Sequence, residues 1–365
     1  MTRRVATLFF LILSGLALVV GRPHALQRAK PPGAEFKGEA FRLNKIQDGI
    51  YHAVGTGALS VGCNASVIVN DTDVLIVDSH STPAAAWALA EQVKKTITDK
   101  PIRYVVNTHF HWDHAHGNQQ YGPGVEIVGH DFTGRMLAAG ESMRGRSYDM
   151  FIGGIPAQIA QLGKQVDGMA DAAAKETLRE QLFVQQQYRE ATASVKPQPP
   201  TITFDDSLTL HRGGREIRLL FLGRGHTGGD IVVYLPKERV VVSGDLLTAG
   251  PAYLGDAYLT EWSATLDKLR ALDFEWVLPG HGDAFQGKAK IDHFQAYLSD
   301  FWQQARKLHD AGLSAEEAAR RIDLRSHASS YPTTPALKEV GVLNHGVYRA
   351  YDQIEGRIAA DGGPR

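Results

Sequence analysis

Residues 108–118 read Thr-His-Phe-His-Trp-Asp-His-Ala-His-Gly-Asn, and no other stretch limits the fold of this chain as much. The preceding Arg-Tyr-Val-Val-Asn at 103–107 reads as a short buried strand, so the histidines begin where a strand ends. In extended backbone, residues two apart point to the same side, so His109, His111 and Asp113 can converge on one point while His114 swings elsewhere. Packed imidazoles beside a carboxylate are costly to bury without a cation. A neighbouring His and Asp thrown in two directions suit two adjacent metal ions better than one, because each ion takes about three protein ligands plus water. The stretch is expected to form half of a dinuclear site.

Isolated histidines carry no such weight, and His24, His52, His130, His211, His293, His309, His327 and His345 read as structural or surface residues. The 365 residues have a formal net charge of −1, with acidic and basic positions interspersed. Without a basic stripe or an aromatic ladder, nucleic acid is excluded as a partner and a small-molecule substrate is expected. Residues 1–22 run from Arg3-Arg4 through an apolar stretch to Gly21-Arg22, the physical order of a secretory signal peptide. A periplasmic or secreted protein is therefore expected, with no stable membrane partner unless that segment stays uncleaved as an anchor. Cys63 is the only cysteine, so no internal disulfide can form.

Residues 23–48, rich in Pro, Gly and charge, are expected to be a flexible leader, and 49–287 the main domain. Within it, 50–54, 65–69 and 74–77 read as strands, with a turn at 70–73 and Asp78 at the end. A helix follows, capped by Ser81 or Thr82 with Pro83 in its first turn. Residues 132–196 turn polar and helical, an insertion between core strands that either selects substrate or covers apolar surface. Strands resume at 202–204, 208–210 and 217–222. The pattern of strand 231–235, turn 236–239 and strand 240–244 ending in Asp245 then repeats the one ending in Asp78. Helix 262–272, strand 276–278 and a C-terminal helical extension over 288–365 complete the chain. Alternating strands and helices in two similar halves predict a layered α/β sandwich with a site between the halves.

Three further candidates stand at strand ends. His226 lies in a Gly-Arg-Gly-His-Thr-Gly-Gly-Asp turn at 223–230, Asp245 follows Ser243-Gly244, and His281 sits in Pro-Gly-His-Gly at 279–282. With these motifs in this order, the chain resembles the metallo-β-lactamase superfamily over roughly residues 49–284. The resemblance implies an αββα sandwich with metals at one edge. It implies that His109, His111 and His226 ligate one ion, Asp113, His114 and His281 the other, and that Asp245 bridges them. Asp78 matches a carboxylate that anchors the histidine loop without touching metal. Two zinc ions fit such nitrogen and oxygen ligands, and iron or manganese would also be accommodated. Near Asp245 the β-lactamases of the subclass most often met in resistance carry cysteine, whereas a bridging aspartate is more typical of the superfamily's thioesterases, lactonases and other hydrolases. The chain departs from the family at His116, where glycine is usual, and at Arg224, where proline is frequent. His80 and His116 are candidates for the border of the cleft, with His116 alternatively capping the following helix.

The resemblance implies a hydrolase that splits a β-lactam, lactone, ester or thioester with a water made acidic by two metals. In that scheme Asp113 orients the water or receives its proton. Two rivals stand beside it: an iron-dependent sulfur dioxygenase holding one metal, and a metal-binding module without catalysis.

Overall fold

In the strand Val74–Val77 (β4 below) all four side chains are buried, and they divide between two cores. Val74 and Ile76 pack with Ala85, Leu89 and Val93 of a helix, whereas Leu75 and Val77 pack with Ile217, Leu219, Ile231 and Val233 of a second sheet. A strand covered on both faces reads as an unbroken apolar run, and that run dictates a layered structure. The computed structural model describes residues 29–341 and 345–358; the expected signal peptide at 1–22 lies outside them.

The first sheet has seven strands in sequential order. They are β1 (Phe41–Gln47), β2 (Ile50–Gly55), β3 (Ala65–Val69), β4 (Val74–Val77), β5 (Ile102–Val106), β6 (Glu126–His130) and β7 (Ile202–Phe204). β1 to β4 pair antiparallel and β4 to β7 parallel. The second sheet contains β8 (Ser207–Arg212), β9 (Arg215–Phe221), β10 (Ile231–Leu235), β11 (Val240–Gly244), β12 (Trp276–Pro279) and β13 (Phe285–Gln286). β11 and β12 pair parallel and its other neighbours antiparallel.

Helix α1 (Pro83–Thr96) crosses from β4 to β5. Thr82 caps it by accepting from Ala85 N–H, Pro83 opens its first turn, and the face from Ala84 to Val93 is buried on the first sheet. The short α2 (Trp112–Ala115) follows β5. Helices α3 (Asp131–Ala138), α4 (Gly145–Phe151), α5 (Ile155–Gly168) and α6 (Ala172–Ala193) lie between β6 and β7, at the place of the expected insertion. Helix α7 (Trp262–Ala271) crosses from β11 to β12, and α8 (Ala289–Asp310), α9 (Ala315–Ala319) and α10 (His345–Ile354) end the described chain. The two halves thus share one plan, an antiparallel hairpin followed by a helical crossover to a parallel strand, and the fold is the αββα sandwich.

One expectation needs correction. Part of the supposed flexible leader is strand: β1 pairs with β2 and Phe41 is fully buried. Its sequence is polar because an edge strand packs only one face. The expected C-terminal helices are present as α8 to α10, and Phe294, Tyr297, Leu298 and Phe301 of α8 share a core with Val232, Val241 and Val277 of the second sheet. They form its outer layer, beside Trp262 and Leu266 of α7.

Candidate metal centre

The loop after β5 is pinned before the histidines begin. Asn107 and Asn118 exchange side-chain hydrogen bonds of 3.0 and 2.8 Å, and Ser79 Oγ donates to Asn118 Oδ1 at 2.8 Å. Thr108 donates to Asp78 from its backbone N–H, at 2.8 Å, and from its hydroxyl. These bonds satisfy a buried polar loop that would otherwise be costly. His109 follows in a bend, and His111, at φ −58° and ψ 149°, is the N-cap of α2.

Here the strand alternation expected to join Asp113 to His109 and His111 fails. The chain turns helical at Trp112, which rotates Asp113 to the side of His114 and His281. Two groups result: the ligand atoms of His109, His111 and His226 lie within 4.8 Å of one another, as do those of Asp113, His114 and His281. Asp245, just beyond β11, stands between them. Its carboxylate oxygens are 3.3 Å from His281 Nε2, 3.5 Å from His114 Nε2 and 3.6 Å from His226 Nε2. His281 Nε2 also lies 3.2 Å from Asp113 Oδ2. Gly280 permits this crowding, since a Cβ there would collide with Asp245 Oδ1 and approach His114 Cε1. All seven residues named from the sequence as ligands therefore surround one space.

The hydrogen bonds around the rings decide which nitrogens face that space. His109 Nδ1 lies 3.1 Å from Thr108 Oγ1, whose proton goes to Asp78. His111 Nε2 is 3.0 Å from Asp256 Oδ2, His114 Nδ1 is 2.8 Å from Asp78 Oδ2, and His226 Nδ1 is 2.9 Å from the Tyr253 carbonyl. Each outer nitrogen donates, so each inner nitrogen presents a lone pair. Two such lone pairs, on His111 Nδ1 and His226 Nε2, are only 3.0 Å apart, an arrangement that needs a proton or a cation between them. His109 Nε2, His114 Nε2 and Asp245 Oδ1 are buried with no hydrogen-bond partner among the described residues. The donor set fits divalent metal ions.

Charge follows the same pattern. Burial, with the neighbouring imidazoles, keeps His109 well below the ordinary histidine range, and burial beside His111 lowers His226 to about 3. Both are neutral, as ligation demands. Burial opposes ionisation of Asp245 and Asp113, yet His281 and His114 outweigh it and hold both carboxyls below their ordinary range. The reverse holds at His281, where Asp245 and Asp113 overcome burial and lift the imidazole to about 10.

The two cleft candidates lie elsewhere. His80 is fully buried, stacks on Phe41 with ring centroids 4.8 Å apart, and places Nδ1 3.0 Å from the Cys63 carbonyl. His116 is buried with Nε2 2.9 Å from Ser142 Oγ, so it fastens the segment before α4 and neither borders the cleft nor caps a helix through its ring. Cys63 is buried beside His114 and Asp78, and burial pushes its thiol up to about 12. Asp256 and Tyr253, which orient His111 and His226, escaped the sequence reading. They sit in a loop whose composition carries no metal-ligand signature.

A family model described as the Metallo-beta-lactamase superfamily matches residues 60–281. The chain is 26% identical over 313 residues to the linear primary-alkylsulfatase of Pseudomonas sp. (strain ATCC 19151), covering 79% of this chain and 55% of that protein. It is 34% identical over 114 residues to the metallo-beta-lactamase type 2 of Bacteroides fragilis, covering 30% of this chain and 45% of that one. The chain thus spans about half the length of these curated relatives. Among solved structures, a metallo-beta-lactamase from Pontibacter korlensis superposes with a TM-score of 0.50 at 18% identity, over 71% of this chain and 99% of that one. At that identity the likeness speaks for the fold alone.

Proposed function

Because the chain belongs to the metallo-β-lactamase superfamily, we propose that it is a hydrolase working with two divalent metal ions, zinc first among them. His109, His111 and His226 would hold one ion, Asp113, His114 and His281 the other, and Asp245 both. One observation carries this reading: five imidazoles and two carboxylates converge on one space, where His109 Nε2, His114 Nε2 and Asp245 Oδ1 find no hydrogen-bond partner among the described residues, and four of the imidazoles commit their other nitrogen outward.

When bound, such ions supply a Lewis acid and a water acidic enough to attack near neutral pH. The protein's own part is to hold the ligands rigidly and to keep His109 and His226 neutral. Asp113, 13% exposed at its side chain, borders the opening beside His281 and is placed to orient the attacking water or accept its proton. The bond cleaved is an ester, thioester, lactone or β-lactam. A sulfate ester joins that group because the alkylsulfatase is similar over most of this chain. The N-terminal order of basic, apolar and polar residues supports action outside the cytoplasm. No helix among the described residues is long and apolar enough to cross a membrane.

The test is metal analysis of the purified full chain together with a hydrolysis panel containing a cephalosporin, a lactone, a thioester and an alkyl sulfate. Two zinc ions per chain and turnover of one substrate class, lost on chelation and regained with zinc, are expected. A single iron with oxygen uptake would favour the dioxygenase instead. Full metal content with no turnover across the panel would favour a binding module.

A further inference from the structure

Two of the groups behind the three-imidazole half, the Tyr253 carbonyl and the Asp256 carboxylate, belong to one loop between β11 and α7. A loop holds such positions only if something holds the loop. Tyr258 N–H donates to the Gly225 carbonyl at 2.8 Å, and the residues beside Asp256 are held by α10, which lies beyond the residues 60–281 matched by the family model. Arg349 Nε donates to the Ala257 carbonyl at 2.8 Å, and Gln353 Nε2 donates to the same oxygen at 2.9 Å. The Arg349 guanidinium stands 5.2 Å from the centroid of the Tyr258 ring. Gly346 brings the helix so close to the loop that a Cβ there would lie 2.6 Å from Leu254 Cβ.

Arg349 is only 4% exposed, and a buried guanidinium is costly unless its surroundings reward it. A helix serving only as packing would meet this loop with an apolar residue, as Val347 and Ala350 meet the core on the same helix. The cation is instead spent on the residue next to Asp256, and its charge bears on that carboxylate.

We infer that Arg349 is a positioning residue for the three-imidazole half of the centre: by fixing the Ala257 carbonyl it sets Asp256 against His111 and, through the same loop, Tyr253 against His226. The inference rests on the reading that this half binds a metal ion. Groups that orient metal ligands from behind change metal affinity by roughly 10–100-fold when removed.

The experiment strips the full-length protein of metal and titrates it with zinc against a chromophoric chelator, and with cobalt(II) for its visible spectrum. Arg349→Met keeps the stem and removes the donors and charge. It is expected to weaken one ion by roughly tenfold or more and alter that ion's cobalt spectrum, leaving the other ion unchanged. Arg349→Lys, which can still donate to Ala257, is expected to recover part of the loss. In Arg349→Met combined with Asp256→Asn, the loss should be close to that of Asp256→Asn alone, because both act along one route. Should Arg349→Met not fold, Gln353→Leu removes the second donor to the same carbonyl and should weaken the same ion to a smaller degree. Wild-type affinities and spectra in the folded variant, or losses that simply add, would overturn the inference while leaving the metal centre standing. Wild-type protein that takes up neither ion would overturn the metal reading and this inference with it.

Discussion

Asp78 Oδ2 lies 2.8 Å from His114 Nδ1, with both side chains buried. Asp78 reaches this position from a left-handed backbone, at φ 64°, which costs a non-glycine residue on the order of 1 kcal/mol. Hydrogen bonds from Thr108 N–H and Oγ1 hold the carboxylate in place. One carboxylate thus ties the end of β4 to both the start and the middle of the histidine loop, and leaves His114 Nε2 turned inward.

Replacing Asp78 by Asn keeps the shape of this contact and removes its charge. The variant is expected to fold, by circular dichroism, but to bind the ion shared by Asp113, His114 and His281 roughly 10–100-fold more weakly. Competition with a chelator measures this, and wild-type affinity would release Asp78 from the anchoring role.

Metal uptake should release protons. In the metal-free protein His281 is raised from its ordinary 6.5 to about 10, so it is protonated at neutral pH and must lose that proton before it can ligate. Apparent metal affinity should therefore climb as pH rises from about 6.5 toward 10, with the proton visible as a buffer-dependent heat in calorimetry. The stability of the metal-free fold has the opposite slope. A folded-state pKa above the unfolded one contributes stability that is complete below about 6.5 and gone above about 10. His281→Gln should flatten this slope; an equal slope in both proteins would contradict it.

The helical insertion is docked on the histidine loop through Trp112, which packs against Ile155 of α5 and Tyr188 of α6. Its indole N–H reaches Ser147 Oγ of α4 at 3.3 Å. Trp112→Ala empties this joint at a cost of roughly 3–5 kcal/mol, borne first by the docked helices. Limited proteolysis should then cut within residues 145–193 well before the sandwich is attacked. A digestion pattern like that of the wild type would mean that the helices are held by other contacts.

How far the chain could be read in advance varied with the range of the interaction involved. β3, β4, β10 and β11 are buried on both faces and announce themselves as apolar runs, and the cap of α1 is written in Thr82 and Pro83. β1 was missed because Phe41–Gln47 mixes charge with apolar residues, as an edge strand can. Strand alternation alone put Asp113 beside His109 and His111, whereas the family resemblance grouped it with His114 and His281, as the structure does; a single helical turn at Trp112, only four residues long, replaces the period of two by a period of 3.6. His80 was given to the cleft because it follows Asp78 closely, but its φ of 68° turns the ring onto Phe41.

Taken by itself, the amino-acid order determined the layered α/β plan and the set of side chains able to ligate a metal, since both follow from residue type and short-range periodicity. Only the tertiary structure decided which nitrogen of each imidazole faces inward, which ligands share a partner, and that a loop and a C-terminal helix stand behind the site. Asp256 is separated from His111 by 145 positions, and Arg349 from Ala257 by 92. Hydrogen bonds at such separations depend on where the sheets carry the chain, and no local pattern encodes them.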